Sequence, residues 1–134
     1  VVIGSSLGGF YATHLAEEFG LRAALINPAV RPFQFWQSHL GYHKNYHTDE
    51  VHQVTVEHIE QLHNLDKPRL QHPQNYLLLA QEGDETLDYR QAAEKYKEGR
   101  CEIQKNGNHS FENFDRVIPS IFDFLLFRKS TEER

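Results

Sequence analysis

Val1-Val2-Ile3-Gly4-Ser5-Ser6-Leu7-Gly8-Gly9-Phe10 begins with three apolar residues and then turns on a pair of serines flanked by glycine. The apolar run reads as a short strand, residues 1–4, hydrophobic on both faces as strands inside a parallel sheet are. Beyond it Leu7, Phe10, Tyr11, His14, Leu15 and Phe19 recur near a 3.6-residue period and Gly20 closes the run, so a helix is expected over residues 7–19. The junction decides the reading. Gly4-x-Ser6-x-Gly8 falls where a strand hands over to a helix, the setting in which a serine is lifted onto a sharp turn with its Oγ exposed. In such a turn the residues two before and two after the serine approach each other, so glycine is expected at both Gly4 and Gly8 to avoid a Cβ clash. Ser5 would have Ile3 and Leu7 in those places, which makes Ser6 the candidate nucleophile. Phosphate-binding loops fit less well. Phe10-Tyr11 follow Gly9 where Lys-Ser/Thr is needed, and a dinucleotide fingerprint needs glycine in place of Ser6.

Working outward, the pattern alternates. Residues 22–26 (Arg-Ala-Ala-Leu-Ile) form a second apolar run that Asn27-Pro28 ends, because proline cannot donate to a ladder. A right-handed βαβ unit is expected. Residues 30–73 are His- and aromatic-rich and read as an insertion within a single domain, 1–134, with helices over 32–40 and 54–65. The third strand is expected at 75–80, then a polar turn and a helix over 89–98 started by an Asp88/Gln91 capping box. Residues 100–104 make the fourth strand, with Cys101 read as a buried small hydrophobe. The last helix covers 114–127, interrupted at Pro119. Strands alternating with helices imply an α/β architecture, a parallel sheet with helices on both faces.

A serine hydroxyl needs a general base within hydrogen-bond reach and a third group to orient that base. In a strand–turn–helix setting of this kind the sequence order is Ser, acid, His. Asp84 lies in the turn after the third strand and His109 in the loop after the fourth, both at the carboxyl ends of parallel strands, where open α/β sheets place their sites. Glu82 and Glu85 read as solvated turn residues and Asp88 as a helix cap. Of nine histidines, His109 alone stands between the last strand and the last helix, beside Gly107 and Asn108. His43 and His47, near Asp49 and Glu50, read as a solvated loop, and no metal is expected.

Four stretches together carry a resemblance: Gly4-Ser5-Ser6-Leu7-Gly8-Gly9 with Tyr11-Ala12-Thr13; Asn27-Pro28-Ala29-Val30-Arg31-Pro32-Phe33; Gly83-Asp84-Glu85 with Leu87-Asp88-Tyr89-Arg90-Gln91-Ala92; and Gly107-Asn108-His109 with Phe111. The chain resembles the YqiA-like esterases, a small family of the α/β-hydrolase fold, over nearly its whole length. The resemblance implies Ser6 as nucleophile, Asp84 as orienting acid and His109 as general base, with small-molecule acyl esters or thioesters as substrates and no cofactor. It also implies a lid for residues 30–73, where Phe33, Phe35, Trp36, Tyr42 and Tyr46 either line an acyl pocket or pack the insertion.

Family members carry a strand and a His-Gly-rich loop ahead of the elbow strand. The sequence starts at Val1, within the elbow strand, so the expectation is a fragment: a partial sheet with its N-terminal strands missing. That loop normally supplies one oxyanion N–H, the other coming from the residue after the nucleophile, Leu7. Two competing expectations follow: a catalytically impaired remnant or interaction module, and an acyltransferase using the same residues.

Charge and composition narrow the partners. Fourteen basic and nineteen acidic residues give a net charge of −5, and the basic ones are scattered, unlike a phosphate-tracking surface. Nucleic acid is not expected as a partner. No stretch reaches the roughly 20 apolar residues of a membrane span. Cys101 as the one cysteine rules out an internal disulfide and suits the cytoplasm. On that ground the Asn108-His109-Ser110 sequon is discounted.

Overall fold

The computed structural model describes residues 1–37, 41–44 and 51–127. In chain order the elements are β1 (Val2–Ser5), α1 (Leu7–Phe19), β2 (Ala23–Ile26), α2 (Pro32–Gln37), β3 (Gly41–Lys44), β4 (Val51–Val54), α3 (Val56–Leu65), β5 (Tyr76–Gln81), α4 (Tyr89–Lys95), β6 (Arg100–Gln104) and α5 (Ile118–Phe122). They form two compact units, one of Val1–Val30 with Lys67–Arg134 and one of Arg31–Asp66.

The first unit is built on a four-stranded sheet, order β1-β2-β5-β6, parallel throughout. Every residue of Ala23–Ile26 and Tyr76–Gln81 is buried, which is why these two central strands are apolar almost without interruption. On one face Leu25 and Leu78 pack with Ala12 and Ala16 of α1 and Ala92 of α4; on the other Leu77 and Leu79 pack under Phe111, Ile121 and Phe124. Helices therefore cover both faces, as the alternation of elements implies. Each fully buried leucine contributes about 2 kcal/mol, and this packing holds the strand ends level across the sheet.

Several local expectations are corrected. Of the six residues whose period locates α1, three face outward and only Phe10 is buried: Tyr11 and Leu15 are 41% exposed and Phe19 70%. The packed face is Gly9, Phe10, Ala12, Thr13 and Ala16, all small but Phe10, and the small ones let helix and sheet approach closely. Cys101 is exposed rather than buried, because β6 ends the sheet order and half of its side chains face away from the core. Its thiol still donates to the Tyr96 carbonyl at 3.2 Å. Helix α4 stops at Lys95, before residue 98, and Asp88 caps it by accepting from the Arg90 amide at 3.0 Å rather than through a box with Gln91. The Arg90 guanidinium grips the same carboxylate and holds its pKa below the usual range. The last helix is broken into a 3₁₀ turn at Phe114–Arg116, α5, and a π turn at Asp123–Phe127. Pro119 sits in the first turn of α5, where its missing N–H costs no helical bond.

In the second unit β3 and β4 pair antiparallel, Gly41 opposite Val54 and His43 opposite His52. This pairing replaces the solvated loop expected around His43, and it claims Val54, so that α3 starts at Val56. Thr55 and His58 form a reciprocal cap there: the Thr55 hydroxyl accepts from the His58 amide at 3.4 Å, and His58 Nδ1 accepts from the Thr55 amide at 3.2 Å. Histidine thus takes the place glutamate or glutamine usually holds in a capping box. Phe33 stacks on His63 with ring centroids 3.9 Å apart. Tyr46, His47, Asp49 and Glu50, with residues 38–40, lie outside the described residues.

Candidate active site

Ser6 sits between β1 and α1 with φ 54° and ψ −123°, a conformation that side-chain-bearing residues rarely adopt and that costs energy to maintain. Its main chain is clamped from the end of β2. The Ser6 amide donates to the Ile26 carbonyl at 3.1 Å, and the Ser6 carbonyl accepts from Ala29 and Gly9, both at 2.9 Å. A Cβ on Gly4 would be driven into the Gly8 carbonyl and would lie 2.8 Å from the Gly9 nitrogen, so the turn requires glycine at position 4. Gly8 is different. A Cβ there meets nothing within 4 Å, because the close approach runs from Gly4 onto the Gly8 carbonyl and not in the reverse sense; the expected steric need at Gly8 is absent. Gly9 is the second tight position, since its Cβ would lie 2.5 Å from that of Pro28. Leu7 opens α1, so its amide is among those with no partner inside the helix and lies at the positive end of the helix dipole.

The turn after β5 and the loop after β6 are bound to each other. Glu82 N–H donates to the Gln104 carbonyl at 2.9 Å and Gly83 N–H to the Asn106 carbonyl at 2.8 Å. A side chain on Gly83 would strike the Gly107 carbonyl, so glycine lets the two backbones touch. Asn106 and Gly107 adopt φ 65° and 80°, left-handed values that asparagine and glycine tolerate best. The reversal they make brings His109 back over the turn that carries Asp84.

The structure brings together the three side chains singled out from sequence. Ser6 Oγ lies 2.9 Å from His109 Nε2, and His109 Nδ1 lies 3.0 Å from each Asp84 oxygen. Asp84 Oδ1 also accepts from the Thr86 and Leu87 amides, both at 2.9 Å. Its side chain is 2% exposed against 23% for His109, so the acid is shut away while the imidazole keeps an open rim. An ionised carboxylate has no proton to offer, which assigns the ring proton to Nδ1 and leaves the Nε2 lone pair facing the serine hydroxyl.

Three further residues support this arrangement. Glu85 is exposed, as expected, and also accepts from the His109 amide at 2.8 Å. Asn27 and Gln81, both buried, bind the His109 loop from below. Gln81 Oε1 accepts from the Asn108 and Glu112 amides at 3.0 and 2.8 Å, and its Nε2 donates to the Glu112 carbonyl at 2.9 Å. The only sequence signal for either is a polar residue at the end of an apolar strand.

The model of the Uncharacterised protein family (UPF0227) matches residues 1–126. The chain belongs to that family. The UPF0227 match takes in all four stretches that resemble the YqiA-like esterases. Among solved structures, this UPF0227 chain is similar to a putative hydrolase from Agrobacterium vitis S4, with 18% identity and TM-score 0.64 over 92% of this chain and 60% of that one. It is similar to mouse alpha/beta hydrolase domain-containing protein 10, with 16% identity and TM-score 0.63 over 91% and 60%. Est1E from Butyrivibrio proteoclasticus, solved with ferulic acid bound, has 12% identity and TM-score 0.66 over 92% and 57%. These likenesses establish the α/β-hydrolase fold. The chain spans about 60% of the length of these solved relatives.

Proposed function

We propose that this chain carries the catalytic core of a serine hydrolase that cleaves acyl esters or thioesters through an acyl-enzyme. The observation that carries the reading is the unbroken hydrogen-bonded series Ser6–His109–Asp84, assembled at the carboxyl ends of three parallel strands. Ser6 Oγ attacks the carbonyl carbon while His109 Nε2 takes the hydroxyl proton. The Leu7 N–H and the start of α1 stabilise the oxyanion that forms. As the tetrahedral species collapses, His109 returns the proton to the departing alcohol or thiol and the acyl group remains on Ser6. Water then attacks the acyl carbon, losing its proton to His109, and Ser6 departs with that proton. Asp84 stays ionised throughout and stabilises the imidazolium.

Solved proteins of the same fold are named as esterases, including a domain from Rhodothermus marinus, and the choice of acyl substrates draws on them and on the YqiA-like resemblance. The test is labelling with a fluorophosphonate, followed by peptide mass analysis, alongside hydrolysis of a short activated ester. Label on Ser6, lost together with turnover in Ser6→Ala, is the expected result. Label on another residue, or undiminished turnover in Ser6→Ala, overturns the proposal.

A further inference from the structure

We infer that Asn27 is a positioning residue that sets the separation between Ser6 and His109, an assignment that rests on the serine-hydrolase reading for its catalytic meaning. Asn27 is the first residue after β2, the strand between the one that delivers Ser6 and the one that delivers Asp84. It is 3% exposed and holds φ 41°, a left-handed conformation that asparagine accepts more readily than most residues.

Its polar groups are used in one direction. Nδ2 donates to the carbonyls of Asn108 and His109, both at 2.9 Å, while Oδ1 accepts from the Gln81 amide at 3.0 Å. Its own amide donates to the Leu79 carbonyl at 2.8 Å, anchoring it to β5. The residues on either side hold the nucleophile: Ile26 accepts from the Ser6 amide, and Ala29 donates to the Ser6 carbonyl. A four-residue segment, Ile26–Ala29, therefore grips the main chain of Ser6 by its backbone and the main chain of His109 by one side chain. The 2.9 Å contact between Oγ and Nε2 is built on that common base. Aspartate cannot substitute, since an ionised carboxylate presents oxygen to two carbonyl oxygens where the amide presents two N–H groups. Glycine keeps the left-handed backbone free of strain but releases the His109 loop.

A displacement of about 1 Å between reacting groups costs on the order of 10²-fold in rate. Asn27→Gly, and Asn27→Asp as a second variant, are therefore expected to slow fluorophosphonate labelling of Ser6 by roughly that factor. kcat/KM for a short activated ester falls by a similar factor, because acylation governs it. A purely structural role would lower melting temperature without slowing labelling of the folded fraction. Labelling at the wild-type rate in either folded variant overturns the inference while leaving the serine-hydrolase reading intact.

If the wild-type chain itself takes no label on Ser6, it is the hydrolase reading that fails, and the clamp is then judged by NMR. The His109 Nδ1 proton should be sharp in the wild type and broadened in Asn27→Gly, and an unchanged signal overturns the clamp. One further measurement needs no variant. Both Asn27 side-chain amide protons should be protected from solvent exchange, and rapid exchange of the pair overturns the assignment.

Discussion

Gly4 and Gly8 occupy symmetrical places in the elbow motif, yet the structure assigns opposite signs to their replacement by alanine. At Gly4 the new methyl meets the Gly8 carbonyl and the Gly9 amide. These are backbone atoms that cannot yield without moving Ser6. Overpacking of this kind costs about 1–3 kcal/mol, and immobile neighbours place Gly4→Ala near the upper end, about 3 kcal/mol. Gly8 lies in the first turn of α1 with open space around its Cβ position and no positive φ. Alanine there removes the backbone-entropy cost of a helical glycine and stabilises by about 0.5–1 kcal/mol. For a chain of this size 1 kcal/mol moves the melting temperature by about 4 °C. Thermal melts followed by circular dichroism should thus show Gly4→Ala melting about 10 °C or more below wild type and Gly8→Ala about 2–4 °C above it. Fluorophosphonate labelling of Ser6 should be lost in the first variant. Equal destabilisation by the two substitutions would refute the reasoning, since it would mean that the close approach in the turn acts on both glycines alike.

Asp84→Asn keeps the shape of the site but presents an N–H to His109 Nδ1, which forces the ring proton onto Nε2 and turns it toward Ser6. Turnover should fall on the order of 10⁴-fold with little change in melting temperature, and a loss below tenfold would contradict the assigned roles. Burial, and then the hydrogen bond to Glu17 at 2.6 Å, raise the Tyr76 hydroxyl pKa far above its ordinary value. A raised folded-state pKa means that this contribution is whole below about pH 10 and is lost as pH rises beyond it. Urea midpoints should drop between pH 9 and pH 11 more steeply in the wild type than in Tyr76→Phe; parallel declines would remove Tyr76 from the account. β1 stands at one end of the sheet order with Val1 and Ile3 almost 60% exposed, an apolar edge of the kind that templates association. The chain is expected to self-associate in light scattering and Ile3→Lys to reduce it, whereas a wild-type monomer at high concentration would contradict this.

The parts of the site that are legible in sequence are those where a local rule fixes a position. Glycine two residues before Ser6 marks a turn too tight for a side chain, Asp84 follows an apolar run, and His109 follows a short strand of mixed polarity that ends at the same edge of a parallel sheet. Roles set by distant partners were not legible. Asn27 beside Pro28 reads as the end of a strand, and nothing local reveals that its amide reaches a loop some eighty residues on. Glu85 looks like any acidic turn residue until folding presents the His109 amide to it. For α1 the helix is readable but, Phe10 apart, its buried face is not, because the rest of that face is made of small residues and Tyr11, Leu15 and Phe19 lie on the outside. The β3–β4 pair is not legible because four-residue strands of mixed polarity leave too short a period to read.

All four strands of the sheet run the same way, so each connection must travel the length of the domain and back before the next functional side chain is delivered. Segments between strands can then lengthen, shorten or be exchanged while the strand ends keep their spacing. Variation in length among related chains should therefore gather between Val30 and Tyr76, clear of the Ile26–Ala29 segment that holds the main chains of Ser6 and His109 and of the short turns that carry Ser6, Asp84 and His109.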